Sequence, residues 1–132
     1  MIVVDSSAAL AALLGRDAAR TALTDRRLIA PHVIDAEVAH ALRGLVLGGK
    51  LPEPEASRIL GVWRELAVDR LPMRGLLPRV WELRDNLSAH DALFVAAAEV
   101  HEVPLVTADR RLASAPGTRC TIELIAGASG PV

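Results

Sequence analysis

Asp5, Glu37, Asp91 and Asp109 are the residues whose types and settings could do chemistry. Asp5 closes the apolar run Ile2-Val3-Val4, and Asp109 comes just after Leu105-Val106, so both are expected at the carboxyl ends of strands. Ligands bind at that edge of open α/β sheets, because loops and helix N-termini converge there. Asp91 and Glu37 fall in two apolar stretches with helical spacing that can cover the same edge. Carboxylates gathered there need a cation to hold them together. Oxygen-only ligands select hard cations such as Mg²⁺ or Mn²⁺.

Each acid taken singly also has an ordinary structural reading. Asp5 fits a turn, Asp109 favours a helix N-terminus, and Asp91 lies three after Ser88, like the second half of a capping box. Glu37 is harder to dismiss. On its helix Ile34, Val38, Ala41 and Leu45 form the core face, and Glu37 sits at the edge of that face, where an unpaired carboxylate is costly. One site explains the joint placement better than four accidents at one sheet edge.

The elements that must position these acids alternate strand and helix, which predicts a three-layer α/β/α sandwich with a mostly parallel central sheet. Strands are expected at Ile2 to Val4, Leu28 to Ala30, Val68 to Leu71, Leu105-Val106 and Cys120 to Leu124. The first helix runs to Leu14, capped by Ser6 or Ser7 and stopped by Gly15, and a second covers about Asp17 to Arg26. A long helix from about Val33 to Leu47 ends at Gly48-Gly49, and Pro52 and Pro54 introduce another through Trp63 and Ala67. Helices follow near Leu76 to Arg84 and Ala89 to His101, with a single turn at Arg110 to Ser114. Residues 126–132 have turn-former composition and are expected to fray.

Composition bounds the class. A chain of 132 residues that is 52% hydrophobic and 23% charged can bury a core as a single domain, here residues 1–132. A net charge of -1 excludes a bulk polyanion binder, so any nucleic-acid contact must be local. Cys120 is the only cysteine, which excludes an internal disulfide and fits a cytoplasmic protein. The longest uncharged apolar stretches fall far short of the ~20 residues that span a bilayer, so no membrane association is expected.

Four stretches together resemble a known family. Ile2-Val3-Val4-Asp5-Ser6-Ser7-Ala8, Pro31 to Arg43 around Glu37-Val38-Ala39-His40-Ala41, Asp85 to Leu93 around Ser88-Ala89-His90-Asp91, and Leu105-Val106-Thr107-Ala108-Asp109-Arg110-Arg111-Leu112 look like the PIN-domain ribonucleases, specifically the VapC toxins of VapBC toxin–antitoxin pairs. The resemblance covers about residues 1 to 124, in order and at matching spacing. It implies an endoribonuclease dependent on Mg²⁺ or Mn²⁺, with Asp5, Glu37, Asp91 and Asp109 as the acidic quartet and Ser6 and Thr107 as assisting hydroxyls. It also implies an RNA substrate, a homodimer, and a VapB-type antitoxin that sets a basic side chain near the acids. His90 departs from the pattern, because these proteins often carry Tyr before the third acid.

The remaining residues narrow the field. His40 lies one turn after Glu37 and is read as a solvated or core-edge histidine rather than a ligand. Gly48-Gly49-Lys50 lacks the full phosphate-loop pattern and is a turn. Trp63, Trp81 and Phe94 are the only aromatics, so no base-stacking platform is evident, and RNA contact would depend on phosphate geometry. A phosphoacceptor receiver needs a lysine after a late strand, but Lys50, the only lysine, falls between helices. An aspartate-nucleophile phosphatase needs an acid at position 7, which is Ser7. A non-catalytic PIN-like scaffold is the remaining alternative. Leu42, Leu45, Val46, Ile59, Leu60 and Trp63 exceed what a small sheet needs, so some are expected to line a groove for a partner helix.

Overall fold

Ile2, Val3 and Val4 are fully buried, as an uninterrupted apolar run must be when it forms a central strand covered on both faces. The computed structural model describes residues 1–125 and places this strand, β1 (Ile2–Val4), in the middle of five. The others are β2 (Leu28–Pro31), β3 (Val68–Leu71), β4 (Leu105–Thr107) and β5 (Ile122–Leu124), in the order β3-β2-β1-β4-β5. Every pairing is parallel, with Val3 opposite both Ile29 and Leu105. The fraying expected for residues 126–132 lies outside the described residues.

Helices cover both faces and make the three-layer sandwich. On one side α1 (Ser6–Leu13) packs against α2 (Asp17–Leu23), α3 (Val33–Leu47) and α4 (Glu53–Glu65). On the other, α6 (Ala89–His101) lies across β1, β2 and β4, beside α5 (Leu77–Glu82). Ala92 to Ala98 are all buried in α6, because its alanines let the helix axis approach the sheet closely. Phe94, 1% exposed, fills the space that remains, and burying such a ring contributes about 1.5–3 kcal/mol. A short α7 (Arg110–Ala113) follows β4 and packs on β5.

Several boundaries differ from the sequence expectation for identifiable reasons. α2 stops at Leu23 rather than Arg26, since Thr24 is extended and Asp25 takes a left-handed φ of 60°. Arg26 is thereby freed to grip Glu123 of β5 with two hydrogen bonds of 2.8 and 3.0 Å. The helix expected from Leu76 to Arg84 is a 3₁₀ turn at Arg74–Leu76 followed by α5, where Pro78 fits in the first turn because no N–H is required there. Cys120 and Thr121 stay outside β5. α1 is capped by Asp5, not by Ser6 or Ser7.

Candidate active site at the β1/β4 crevice

From β1 the chain leaves through α1 and α2 to β2, whereas from β4 it leaves through α7 to β5 on the opposite side. The carboxyl ends of β1 and β4 therefore flank a topological switch point, where diverging connections leave a crevice. Asp5 follows β1 directly, Thr107 ends β4, and Asp109 stands two residues further on.

Asp5 is 4% exposed and fully engaged. Its extended backbone makes it the N-cap of α1, with Oδ1 accepting from Ala8 N at 2.9 Å. Ser7 Oγ donates to the same oxygen at 2.7 Å, and Thr107 Oγ1 donates to Oδ2. The two hydroxyls accept in turn from the backbone N–H groups of Ala108 and Asp109, each at 2.9 Å. Each hydroxyl has one hydrogen, and an ionised Asp5 takes both, so the 3.2 Å approach of Ser7 to Thr107 is a contact between two acceptors. Burial pushes the Asp5 carboxyl up to about 6, outweighing the hydrogen bonds from Thr107, Ala8 and Ser7, and the charge of Asp91 adds a smaller push.

The other acids are tied to Asp5 through Asp91. Asp91 occupies the first turn of α6, where Ser88 Oγ accepts its backbone N–H at 3.2 Å. Burial raises its pKa and the charge of Asp109 raises it further, while Ser88, Arg111 and His90 draw it the other way. Glu37, on α3, is half-buried, and its Oε1 is buried without a hydrogen-bond partner. Its pKa too is raised by burial, with the Ser6 hydroxyl and His90 opposing and Asp91 adding to the rise. Asp109 caps α7, its Oδ1 accepting from Arg111 N at 2.9 Å.

The expectation that the four acids converge needs correction in its form. Among the described residues, no three His, Cys, Asp or Glu side chains close on one point as a ready metal cage. The charge of Asp91 acts on Asp5 and on Glu37, and that of Asp109 acts on Asp91, so Asp91 is the acid whose charge is felt with all the others. Asp5 and Asp109 each turn into their own helix N-terminus, so the capping and chemical readings apply to the same side chains. The donor set still suits a hard cation. All the groups are oxygen ligands, three carboxyls have pKa values raised by burial, and one buried oxygen lacks any partner.

The serine hydroxyl that meets Asp5 is that of Ser7, a residue not expected at the site from sequence. With Asp5 as the cap, Ser7 is the second residue of α1 and turns back over the carboxylate, while Ser6 serves Glu37. Assigning the cap to the aspartate would have been the signal in the sequence. Thr107 stands where expected and is fully buried. His40 is exposed on α3, and Trp63 is buried with its indole N–H donating to Asp35 at 2.8 Å.

An apolar groove of 450 Å³ lies away from these acids, lined by Ala9 and Leu13 of α1, Leu23 of α2, and Ile59, Val62 and Trp63 of α4, among others. Ile59 and Trp63 match the expected groove residues, but Leu42 is buried in the core and Leu60 faces a different side of α4.

Comparison with known proteins agrees with the geometry. Residues 2–117 match the PIN domain. The chain belongs to the PIN-domain family, and within it to the VapC ribonucleases. It is 48% identical over 125 residues to Ribonuclease VapC9 of Mycobacterium tuberculosis, covering 95% of this chain and 98% of that protein. The fold is shared with VapBC2 from Rickettsia felis, solved bound to a DNA fragment from its promoter, with a TM-score of 0.69 at 14% identity over 94% of this chain and 98% of the other. It is shared also with Mycobacterium tuberculosis VapC20, described as a sarcin-ricin loop cleaving toxin, with a TM-score of 0.64 at 15% identity over 90% and 97% of the two chains.

Proposed function

We propose that this chain is a divalent-metal-dependent endoribonuclease and the toxin of a toxin–antitoxin pair, working as one PIN-like unit over residues 1–132. The observation that carries the reading is Asp5, a buried carboxylate held by three donors at the switch point and coupled through Asp91 to Glu37 and Asp109. Asp5, Asp91, Asp109 and Glu37 are the residues that would hold Mg²⁺ or Mn²⁺. When bound, such an ion supplies an activated water and neutralises charge building on the phosphate. Thr107 and Ser7 keep Asp5 in one orientation, with both oxygens fixed before substrate arrives. Ser6 tempers Glu37, whose buried Oε1 lacks a hydrogen-bond partner that a cation in the site would supply.

The names of its relatives support RNA as substrate and an antitoxin as partner, and the apolar groove of α1, α2 and α4 suits a partner helix. Homodimer formation is part of the same proposal. Leu77 and Trp81 of α5, 54% and 68% exposed, provide an apolar face for it. Among the described residues no helix is long and apolar enough to cross a membrane.

Purified protein should cut RNA in Mg²⁺ or Mn²⁺ and stop in EDTA, and Asp5→Asn and Asp91→Asn should each lose cleavage. Full activity in either variant, with contaminating nuclease excluded, would overturn the assignment. RNA binding by the wild type without cleavage would favour a non-catalytic scaffold.

A further inference from the structure

A metal ion at the carboxylates would meet only the phosphate being cut, and the phosphates beside it are met by Lys or Arg side chains of the protein. Of the fourteen arginines, many have structural work. Arg26, Arg58, Arg70 and Arg79 pair with Glu123, Glu55, Asp35 and Glu99, while Arg84 folds over the Trp81 ring at 4.9 Å.

Arg111 is placed differently. Its backbone N–H is locked into the Asp109 cap, which fixes its Cα in the first turn of α7, beside the crevice. Its guanidinium stands 3.8 Å from Asp109 Oδ2, too far for a hydrogen bond, and the side chain is 88% exposed. Its charge also acts on Asp91, so the tip lies within reach of two of the acids while being held by neither. A cation anchored at its base and free at its tip has all its donors available to an incoming oxyanion, and the planar fork of arginine matches phosphate.

We propose that Arg111 grips an RNA phosphate adjacent to the one being cut, which makes it a substrate-positioning residue of the acidic site. This rests on the reading of that site as one that cleaves RNA.

The test uses a fluorescein-labelled single-stranded oligoribonucleotide of mixed sequence. Its binding to Asp5→Asn protein, with and without Arg111→Ala, is followed by anisotropy across a salt series. One lost phosphate contact should make the slope of log affinity against log salt shallower by about 0.7. Arg111→Lys should keep the slope, because the charge remains, and bind several-fold more weakly than arginine. In the otherwise unmodified enzyme, Arg111→Ala should raise KM roughly ten-fold and leave kcat within about two-fold. An unchanged slope, with altered Mn²⁺ affinity or melting temperature instead, would make Arg111 an internal counter-charge for the acids and overturn the proposal. If unmodified protein cuts no RNA while the slope still falls, the ribonuclease reading fails and the phosphate contact stands. If it cuts normally and the slope does not move, only the Arg111 assignment fails.

Discussion

Thr107 Oγ1 donates to Asp5 Oδ2, joining residues 102 apart in sequence at the ends of neighbouring strands. Thr107 is fully buried, so its hydroxyl has no water to replace this partner. Thr107→Val keeps the shape and removes the donor. It should cost about 1.5–3 kcal/mol at neutral pH, the range for a hydrogen bond to a charged group. Urea denaturation measures it, and a loss no larger than that of Ser6→Ala would contradict the assigned role.

The pH dependence of the metal-free protein follows from Asp5. Its folded pKa of about 6 lies above the ordinary 3.8, so the folded state binds the proton more tightly than the unfolded chain does. The associated stability is fully present below the unfolded value and is lost as pH rises through the folded one. The difference corresponds to about 3 kcal/mol. Glu37 and Asp91 shift in the same direction. Asp35 and Glu123, both lowered chiefly by their arginine partners, act oppositely and only at lower pH. In EDTA, melting temperature should therefore rise as pH falls from about 8 to about 5, and the rise should be smaller in Asp5→Asn. A flat difference between the two proteins across that window would sink the account.

Asp91→Asn separates capping from repulsion. Loss of the first-turn charge alone should destabilise α6 by about 0.3–1 kcal/mol with no metal dependence. Relief of repulsion from Asp109, Asp5 and Glu37 predicts the opposite sign. We expect a higher melting temperature in EDTA at neutral pH and a reduced shift on adding Mn²⁺. A less stable variant with an unchanged Mn²⁺ shift would mean that Asp91 acts only as a helix-start residue.

Glu99 offers a control remote from the chemistry. It accepts from Arg79 Nε at 2.7 Å and from Arg119 N at 2.8 Å, while Arg79 also donates to Gly117 O at 2.8 Å. One carboxylate thus ties α5 and α6 to the segment entering β5. Glu99→Ala should lower stability by about 1–3 kcal/mol, since the half-buried Arg79 loses its main counter-charge and keeps only the exposed Glu82 at 3.6 Å. Cleavage per folded molecule should be unchanged, and a fall in kcat at full folding would show coupling that the structure does not explain.

Val62, 43% exposed on α4, lines the apolar groove. Val62→Arg should leave RNA cleavage intact and abolish neutralisation by the antitoxin, read as toxicity on co-expression. Retained neutralisation would move the antitoxin to another surface.

Which parts were legible in the sequence follows from which signals are local. Ile2-Val3-Val4 ending in Asp5 fits little but a central parallel strand, and the helix from Ala89 to His101 opens on the capping Ser88 with Asp91 three residues on. The part played by Ser7 was missed because it follows from which residue caps α1; Asp and Ser cap about equally well, and Asp5 takes the position at φ -89°, ψ 172°. The groove was half legible for a similar reason. Periodicity identifies the apolar face of α4 but not whether α1 and α2 or α3 will border what it leaves open. That no three of the acids close on one point depends on helix starts and tertiary neighbours, which spacing in the sequence does not encode.

The pairing of β1 with β4 also sets when the site can exist. Asp5 leaves the ribosome 102 residues ahead of its partner Thr107, and the fellow acid Asp109 follows Thr107. Contacts between segments so distant in sequence form late, since the intervening loop must first be closed. A nascent chain, or one truncated before β4, therefore has no assembled centre. Whatever the site does waits until β4 has left the ribosome and paired with β1.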